Sequence, residues 1–161
     1  IVGGATSSPA IAGAIGARRG PNDALVAKLN PTGTAFEFIR LLGGSGTDRV
    51  LGPVVDGSGR IYIAGGTNSV DIPVTADALQ PTYGGGPQDG VIFVLNPDGT
   101  LHYASYLGGA GTDLIRAVTV GSLGEIYLVG GTDSNNFPTT VGAHKTQRTG
   151  IDGFVVKLVP R

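Results

Sequence analysis

Short apolar runs, each closed by Gly, Pro, Asn or Asp, recur along the whole chain. Gly90–Leu95 is a continuous apolar run that stops at Asn96-Pro97-Asp98-Gly99. Thr100–Leu107 alternates, with Leu101, Tyr103 and Tyr106 set against His102, Ala104 and Ser105. Arg60–Ala64 is β-branched and aromatic and is followed by Gly65-Gly66. Val50–Val55 is apolar but broken by Gly52 and Pro53, and Asp56-Gly57-Ser58-Gly59 separates it from Arg60. Runs this short, with these residues and these boundaries, predict strands joined by tight turns. Gly65-Gly66 reads as the end of the Arg60 strand. Between these elements lies a polar link, Thr67–Gln88, interrupted by Pro73, Pro81 and Gly84-Gly85-Gly86. Within it, residues 75–80 are the one place where a helical turn is expected.

The runs repeat. Leu42-Gly43-Gly44-Ser45-Gly46-Thr47-Asp48 returns as Leu107-Gly108-Gly109-Ala110-Gly111-Thr112-Asp113, 65 residues later. Ile61-Tyr62-Ile63-Ala64-Gly65-Gly66-Thr67 returns at the same offset as Ile126-Tyr127-Leu128-Val129-Gly130-Gly131-Thr132. Residues 41–78 and 106–143 share about 17 identities over 38 positions without a gap. Ile1-Val2-Gly3-Gly4 matches the Gly65-Gly66 segment, and Asp23–Pro31 matches both Asp89–Pro97 and Asp152–Pro160. The period is 62–66 residues, so the chain holds about two and a half units. Each unit reads as four strands, which is the blade pattern of a β-propeller. The expected fold is therefore all-β, with four-stranded antiparallel blades in a single repeat domain over 1–161. It divides into a partial blade 1–42, a full blade 43–107 and a partial blade 108–161. About ten strands follow, only one blade of which is complete.

Composition agrees with this reading. Of 161 residues, 29 are Gly and 10 are Pro, a level that excludes a long helical bundle. The chain is 40% hydrophobic and its mean hydropathy is +0.18, too apolar for a solvated coil. Only 14% of residues are charged and the net charge is −1, leaving no basic patch for nucleic acid. No apolar run reaches the length of a membrane-spanning helix. Cys is absent, which removes disulfides, thiolate metal sites and thiol nucleophiles. Met is absent too, so the sequence reads as a processed product, a fragment or an excised segment. Leu158-Val159-Pro160-Arg161 reads equally as the end of a repeat and as the remnant of a thrombin-cleavable tag.

Several separate motifs, in order, resemble the bacterial SBBP family, the "beta-propeller repeat". They are Tyr106-Leu107-Gly108-Gly109-x-Gly111-x-Asp113, the Gly-x-Ile-Tyr-x-x-Gly-Gly-Thr strand, Phe137-Pro138-Thr139-Thr140 and Asp152-Gly153-Phe154-Val155-Val156-Lys157-Leu158. The likeness covers nearly the whole chain. It implies a propeller-type, secreted or cell-surface bacterial protein with no common enzymatic activity. The chain departs from the pattern at Gly52-Pro53 and at Ala10–Arg19, where the usual Phe-Pro-Thr link is replaced. A distorted first unit is expected there.

The residues offer little chemistry. Asp48 and Asp113 follow the Gly-rich crossings, while Asp23, Asp89 and Asp152 open third strands. Their recurrence favours carboxylates that bind loop N–H groups; Ca²⁺ coordination is the alternative, without an EF-hand or nonapeptide match. His102 and His144 lie in different elements and do not form a zinc spacing. Ser45 and Ser58 lack a nucleophile elbow. Ile1-Val2-Gly3-Gly4 looks like the new N-terminus of a trypsin-like protease, but the repeat explains it as the end of a second strand. Tyr83, in a Pro-Thr-Tyr-Gly-Gly-Gly loop, is the aromatic placed for sugar stacking. No catalytic, metal or cofactor residue is assigned, and no cofactor is expected.

Two readings of function follow. In the first, the chain is a non-enzymatic scaffold, adhesin or assembly subunit of an exported bacterial protein, located outside the cell or on its surface. Its partners would be copies of itself or further blades, since two and a half blades leave sheet faces and edges bare. In the second, loops at one rim bind a glycan, a small ligand or a surface protein. The links Thr67–Gln88 and Thr132–Thr149 carry that reading, with Arg18-Arg19 and Lys145-Thr146-Gln147-Arg148 as their repeat-breaking charges.

Overall fold

Turn glycines and apolar runs produce strands throughout. The computed structural model describes residues 1–146 and 150–159, and no helix occurs among them. The first sheet contains β1 (Val2–Thr6), β2 (Ala14–Ile15), β3 (Asp23–Leu29) and β4 (Phe36–Leu42), in the order β1-β3-β4-β2. In the second, β5 (Asp48–Val50) and β6 (Val54–Val55) both pair with β7 (Ile61–Thr67). It continues through β8 (Asp89–Leu95) to β9 (Leu101–Leu107). The third is β10 (Asp113–Val120), β11 (Ile126–Thr132) and β12 (Asp152–Leu158), side by side.

Apart from that of β2, every pairing between these strands is antiparallel, and two isolated parallel bridges, Asn22 with Thr47 and Gln88 with Thr112, tie successive sheets together. The second sheet thus runs β5-β7-β8-β9, with β6 as a fifth strand that pairs β7 beyond a break in the first. Proline has no N–H for the ladder, so the strand breaks at Gly52-Pro53 and resumes two residues after Gly52. The counterpart β10 lacks that Pro and is continuous, with only a bulge between Ile115 and Ala117. Registers repeat as well: Thr67 pairs with Asp89 and Ile61 with Leu95, as Thr132 pairs with Asp152 and Ile126 with Leu158. Third and fourth strands meet at Asn96–Gly99, where Gly99 takes a φ of 84° that L side chains disfavour.

Two expectations are corrected. Gly65-Gly66 do not end the second strand; β7 runs through them to Thr67. Their missing side chains serve close approach, since a Cβ on Gly65 would collide with the Arg49 carbonyl oxygen. Residues 75–80 form no helix. Only a turn closes there, Ala78 N–H to the Thr75 carbonyl at 3.0 Å, because the link is held out along β9 instead. Tyr106 N–H donates to the Gln80 carbonyl and Thr75 N–H to the Ala104 carbonyl, both at 3.2 Å. In the first unit the departing segment around Ala10–Arg19 supplies β2, which pairs parallel with Ile39 and Arg40 of β4. Both links thereby cover the outer edge of a fourth strand.

The sheets stack in a row. One core joins Ala24, Val26, Phe38 and Leu42 of the first sheet to Ile61, Ile63, Val91, Phe93, Ala104 and Tyr106 of the second. The other joins Tyr62, Ala64, Ile92 and Val94 to Ile115, Ile126, Leu128 and Phe154 of the third. The second sheet is consequently covered on both faces; every residue of β7 and β8 is buried. The described residues do not close into a ring.

Candidate functional site: the loop clasps between sheets

At each joint a glycine-rich crossing passes from the fourth strand of one sheet to the first strand of the next. Crossing loops expose backbone N–H groups that need acceptors when buried. Side chains from the end of the second strand supply them. Gly46 N–H donates to Ser69 Oγ at 2.8 Å, Thr47 N–H to Asn68 Oδ1 at 2.6 Å and Ser45 N–H to Asp71 Oδ1 at 2.7 Å. Gly44 N–H donates to Asp48 Oδ2 at 2.8 Å. The other joint copies this set. Gly111 N–H reaches Ser134 Oγ and Ala110 N–H reaches Asn136 Oδ1, each at 2.7 Å. Thr112 N–H bonds Asp133 Oδ1, and Gly109 N–H bonds Asp113 Oδ2 at 2.7 Å.

Behind each crossing lie two buried carboxylates. Asp48, fully buried, accepts from the Thr67 and Ser69 hydroxyls as well as from Gly44 N–H. Asp23 accepts from Arg19 N–H at 2.9 Å and Gly20 N–H at 3.0 Å. At the second joint Asp113 accepts from Ser134 Oγ at 2.6 Å, and Asp89 accepts from Gly84 N–H at 2.6 Å. Burial pushes the Asp89 carboxyl up to about 6, the nearby charge of Asp113 adds to the rise, and the bonds from Gly84 and Gln80 oppose it. Asp48 is raised too, chiefly by burial, against its hydroxyl and N–H donors. The crossing Asp residues thus bind loop N–H groups as the repeat suggested. Among the described residues, no group of three or more His, Asp or Glu converges on a point that could hold a metal.

Of the remaining residues singled out by sequence, Ser45 and Arg19 meet on the Asp71 carboxylate, Lys145 meets Asp152, and the others lie apart. Ser45 and Ser58 each donate to a carboxylate, Asp71 at 3.0 Å and Asp56 at 2.7 Å. Burial opposes it, but bonds from Ser58, Tyr62 and Arg60 N–H hold Asp56 down to about 2. Val2–Gly4 lie within β1, paired with β3 as a second strand is with a third, but Thr6 faces Asp23 as Thr67 faces Asp89, so Gly4 stands where Gly65 stands and the sequence match of Gly3-Gly4 to Gly65-Gly66 is corrected by one residue. Tyr83 packs edge-on against Tyr106 with ring centres 5.9 Å apart, and its hydroxyl donates to the Gly86 carbonyl at 2.9 Å. Arg19 reaches across the first joint to Asp71 at 2.9 Å, and Lys145 pairs with Asp152 at 2.8 Å. Gln147, Arg148 and Thr149 of the last link, and Pro160-Arg161, lie outside the described residues. His144 is exposed in its link. His102 is exposed on β9, at a cleft of about 560 Å³ that it shares with Arg60, Tyr62, Asp77, Tyr103 and Leu158.

That cleft has a counterpart. Phe38 holds in β4 the position that Tyr103 holds in β9, and it lies buried beside Gly99 of the β8–β9 turn. The same turn receives Lys28 Nζ on the Pro97 carbonyl at 3.3 Å, and Val94, at the cleft, is the counterpart of Lys28. The cleft therefore stands where, one joint earlier, the turn between a third and a fourth strand packs.

Sequence reasoning missed the clasp residues. Their signal was present as Thr67-Asn68-Ser69-Val70-Asp71 and Thr132-Asp133-Ser134-Asn135-Asn136, a small polar set repeating at the common offset. No family model matches this chain, and no curated protein does.

Proposed function

We propose that this chain is a non-enzymatic interaction module, a blade array of an exported bacterial protein of the SBBP type, serving as scaffold, adhesin or assembly subunit. The observation that carries this reading is the unequal covering of its sheets. The second sheet has a neighbour on each face, while the first and third each present one apolar face outward. Val129 and Val155 are exposed on the third sheet, Val2, Leu29 and Phe36 on the first. Exposed apolar residues gathered on one face mark interaction sites more often than catalytic ones. The recurrent carboxylates and the two turn serines also have internal partners in backbone and side-chain bonds.

A second reading, a rim that binds a glycan or small ligand, has the cleft at Tyr62, Tyr103 and His102 in its favour. Aromatic faces beside Arg60 and Asp77 suit a sugar. Its match to a turn-packing position in the neighbouring joint favours the first reading. A glycan array together with a thermal-shift panel tests the choice. The module reading expects no saturable ligand; a sugar that raises the melting temperature and loses its effect in Tyr103→Ala overturns it.

A further inference from the structure

The two outward faces are the two halves of a joint that already occurs twice within the chain. On the second sheet, Tyr62, Ala64 and Ile92 belong to the core against the third sheet. Their positional counterparts on the third sheet are Tyr127, Val129 and Val155, of which Val129 is 41% and Val155 76% exposed. On the opposite side, Ile63, Val91, Phe93 and Leu95, with Leu101 packed on them, form the core against the first sheet. Their counterparts are Val2, Leu25, Ala27, Leu29 and Phe36. The register supports this match, because Leu29 faces Phe36 after a bulge as Leu95 faces Leu101 after one. Val2 is 49% and Phe36 56% exposed. One terminal sheet thus offers the donor half of the joint and the other offers the receiving half.

We infer that a second copy of this chain is the partner, with the third sheet of each copy packed on the first sheet of the other. This rests on the module reading above. The contact is heterologous, and making it twice about a two-fold axis closes both bare faces together. The product is a ring of six sheets, within the four-to-eight range of known propellers. It accommodates the partial blades without merging them, since the four-stranded first sheet and the three-stranded third sheet each stay whole and stack. Lys157, which stands where Val94 stands in the second sheet, bonds Glu125 at 3.3 Å and lies over the Tyr127 ring at 5.5 Å. Its charge is therefore compensated on its own sheet.

Light scattering coupled to size exclusion tests this on the chain itself. The expected mass is that of two 16.2 kDa chains. Val155→Glu and Phe36→Glu, one on each face, are each expected to weaken self-association about tenfold or more and to give one-chain mass with unchanged far-UV circular dichroism. Leu123→Glu, at a turn where the side chain is 87% exposed, is expected to leave the mass unchanged. A one-chain mass for the unmodified protein overturns the ring, as does a polymer series or a two-chain mass that survives both face variants. The mass of the unmodified chain decides even where a variant fails to fold. A ligand found by the glycan panel would overturn the module reading without altering this mass, so the two failures are told apart.

Discussion

Asp89 and Asp113 meet at one point, the place a Cβ would occupy on Gly108, 2.7 Å from Asp89 Oδ1 and 2.9 Å from Asp113 Oδ2. Both residues are fully buried, and Oδ1 of each has no hydrogen-bond donor among the described residues. Asp23 and Asp48 repeat the arrangement around Gly43. Burial is the main reason the Asp89 carboxyl rises to about 6, and the neighbouring Asp113 charge adds to it.

A pH dependence follows from the sign of that displacement. An acid whose folded pKa lies above its unfolded value of about 4 binds a proton more tightly when folded. Its stabilising contribution is complete below about pH 4 and is lost as pH rises through about 6. The denaturation midpoint in urea is therefore expected to fall between pH 5 and pH 7.5. Asp89→Asn keeps an acceptor for Gly84 N–H and removes the second charge. It should flatten that slope and stabilise the chain at pH 7.5 by about 1–2 kcal/mol. A slope unchanged in the variant would show that the pair does not govern this range.

Gly108 admits no side chain without displacing a carboxylate. Gly108→Ala is expected to cost about 2–4 kcal/mol, the order typical of strain in a packed interior. Gly57, with nothing within 4 Å of its Cβ position and no positive φ, provides the contrast. Gly57→Ala should change stability by less than about 0.5 kcal/mol. Chemical denaturation of the two variants measures the difference.

Ser69 and Ser134 each join a crossing loop to a buried carboxylate, accepting from a glycine N–H and donating to Asp48 or Asp113. Replacing either by Ala strands both partners, at about 2–3 kcal/mol per site. The two clasps share no hydrogen bond, so the double variant should lose close to the sum. A marked shortfall from additivity, read from denaturation midpoints, would mean that the joints communicate.

Tyr106 bridges the link to β9, accepting from Ile72 N–H at 2.8 Å and donating to the Ser69 carbonyl at 2.9 Å. Burial pushes its phenol up to about 12, less the help of Ile72 N–H and with added repulsion from Asp71, Asp48 and Asp89. Ultraviolet titration of the folded chain should show a tyrosine ionising near that value, and Tyr106→Phe should abolish the step. The same variant is expected to cost about 1–2 kcal/mol.

The all-β character, the main strands and the break at Gly52-Pro53 were legible because each depends on local pattern. Apolar runs between turn residues announce strands, and Gly52-Pro53 announces a break. Gly65-Gly66 were misleading for a physical reason: glycine marks both a strand end and a close backbone approach, and only the neighbouring Arg49 carbonyl distinguishes them. The parallel pairing of β2 had no signal, since Ala14-Ile15 is too short for any period. The Asp residues were legible as loop acceptors, but their pairing across Gly43 and Gly108 was not. Pairing at a joint depends on how two sheets approach, and sequence offset carries no distance.

The clasp takes its side-chain acceptors from one unit, while Asp23 and Arg19 of the unit before reach the same joint. Crossing residues 43–48 and the side chains that hold them, Thr67, Asn68, Ser69 and Asp71, belong to the same stretch 43–107, as do the β5 and β7 strands that they bind together. A unit of this length therefore brings its own acceptors to the joint. What the preceding sheet supplies is a matching apolar face and the carboxylate behind the crossing, Asp23 from the first sheet and Asp89 from the second.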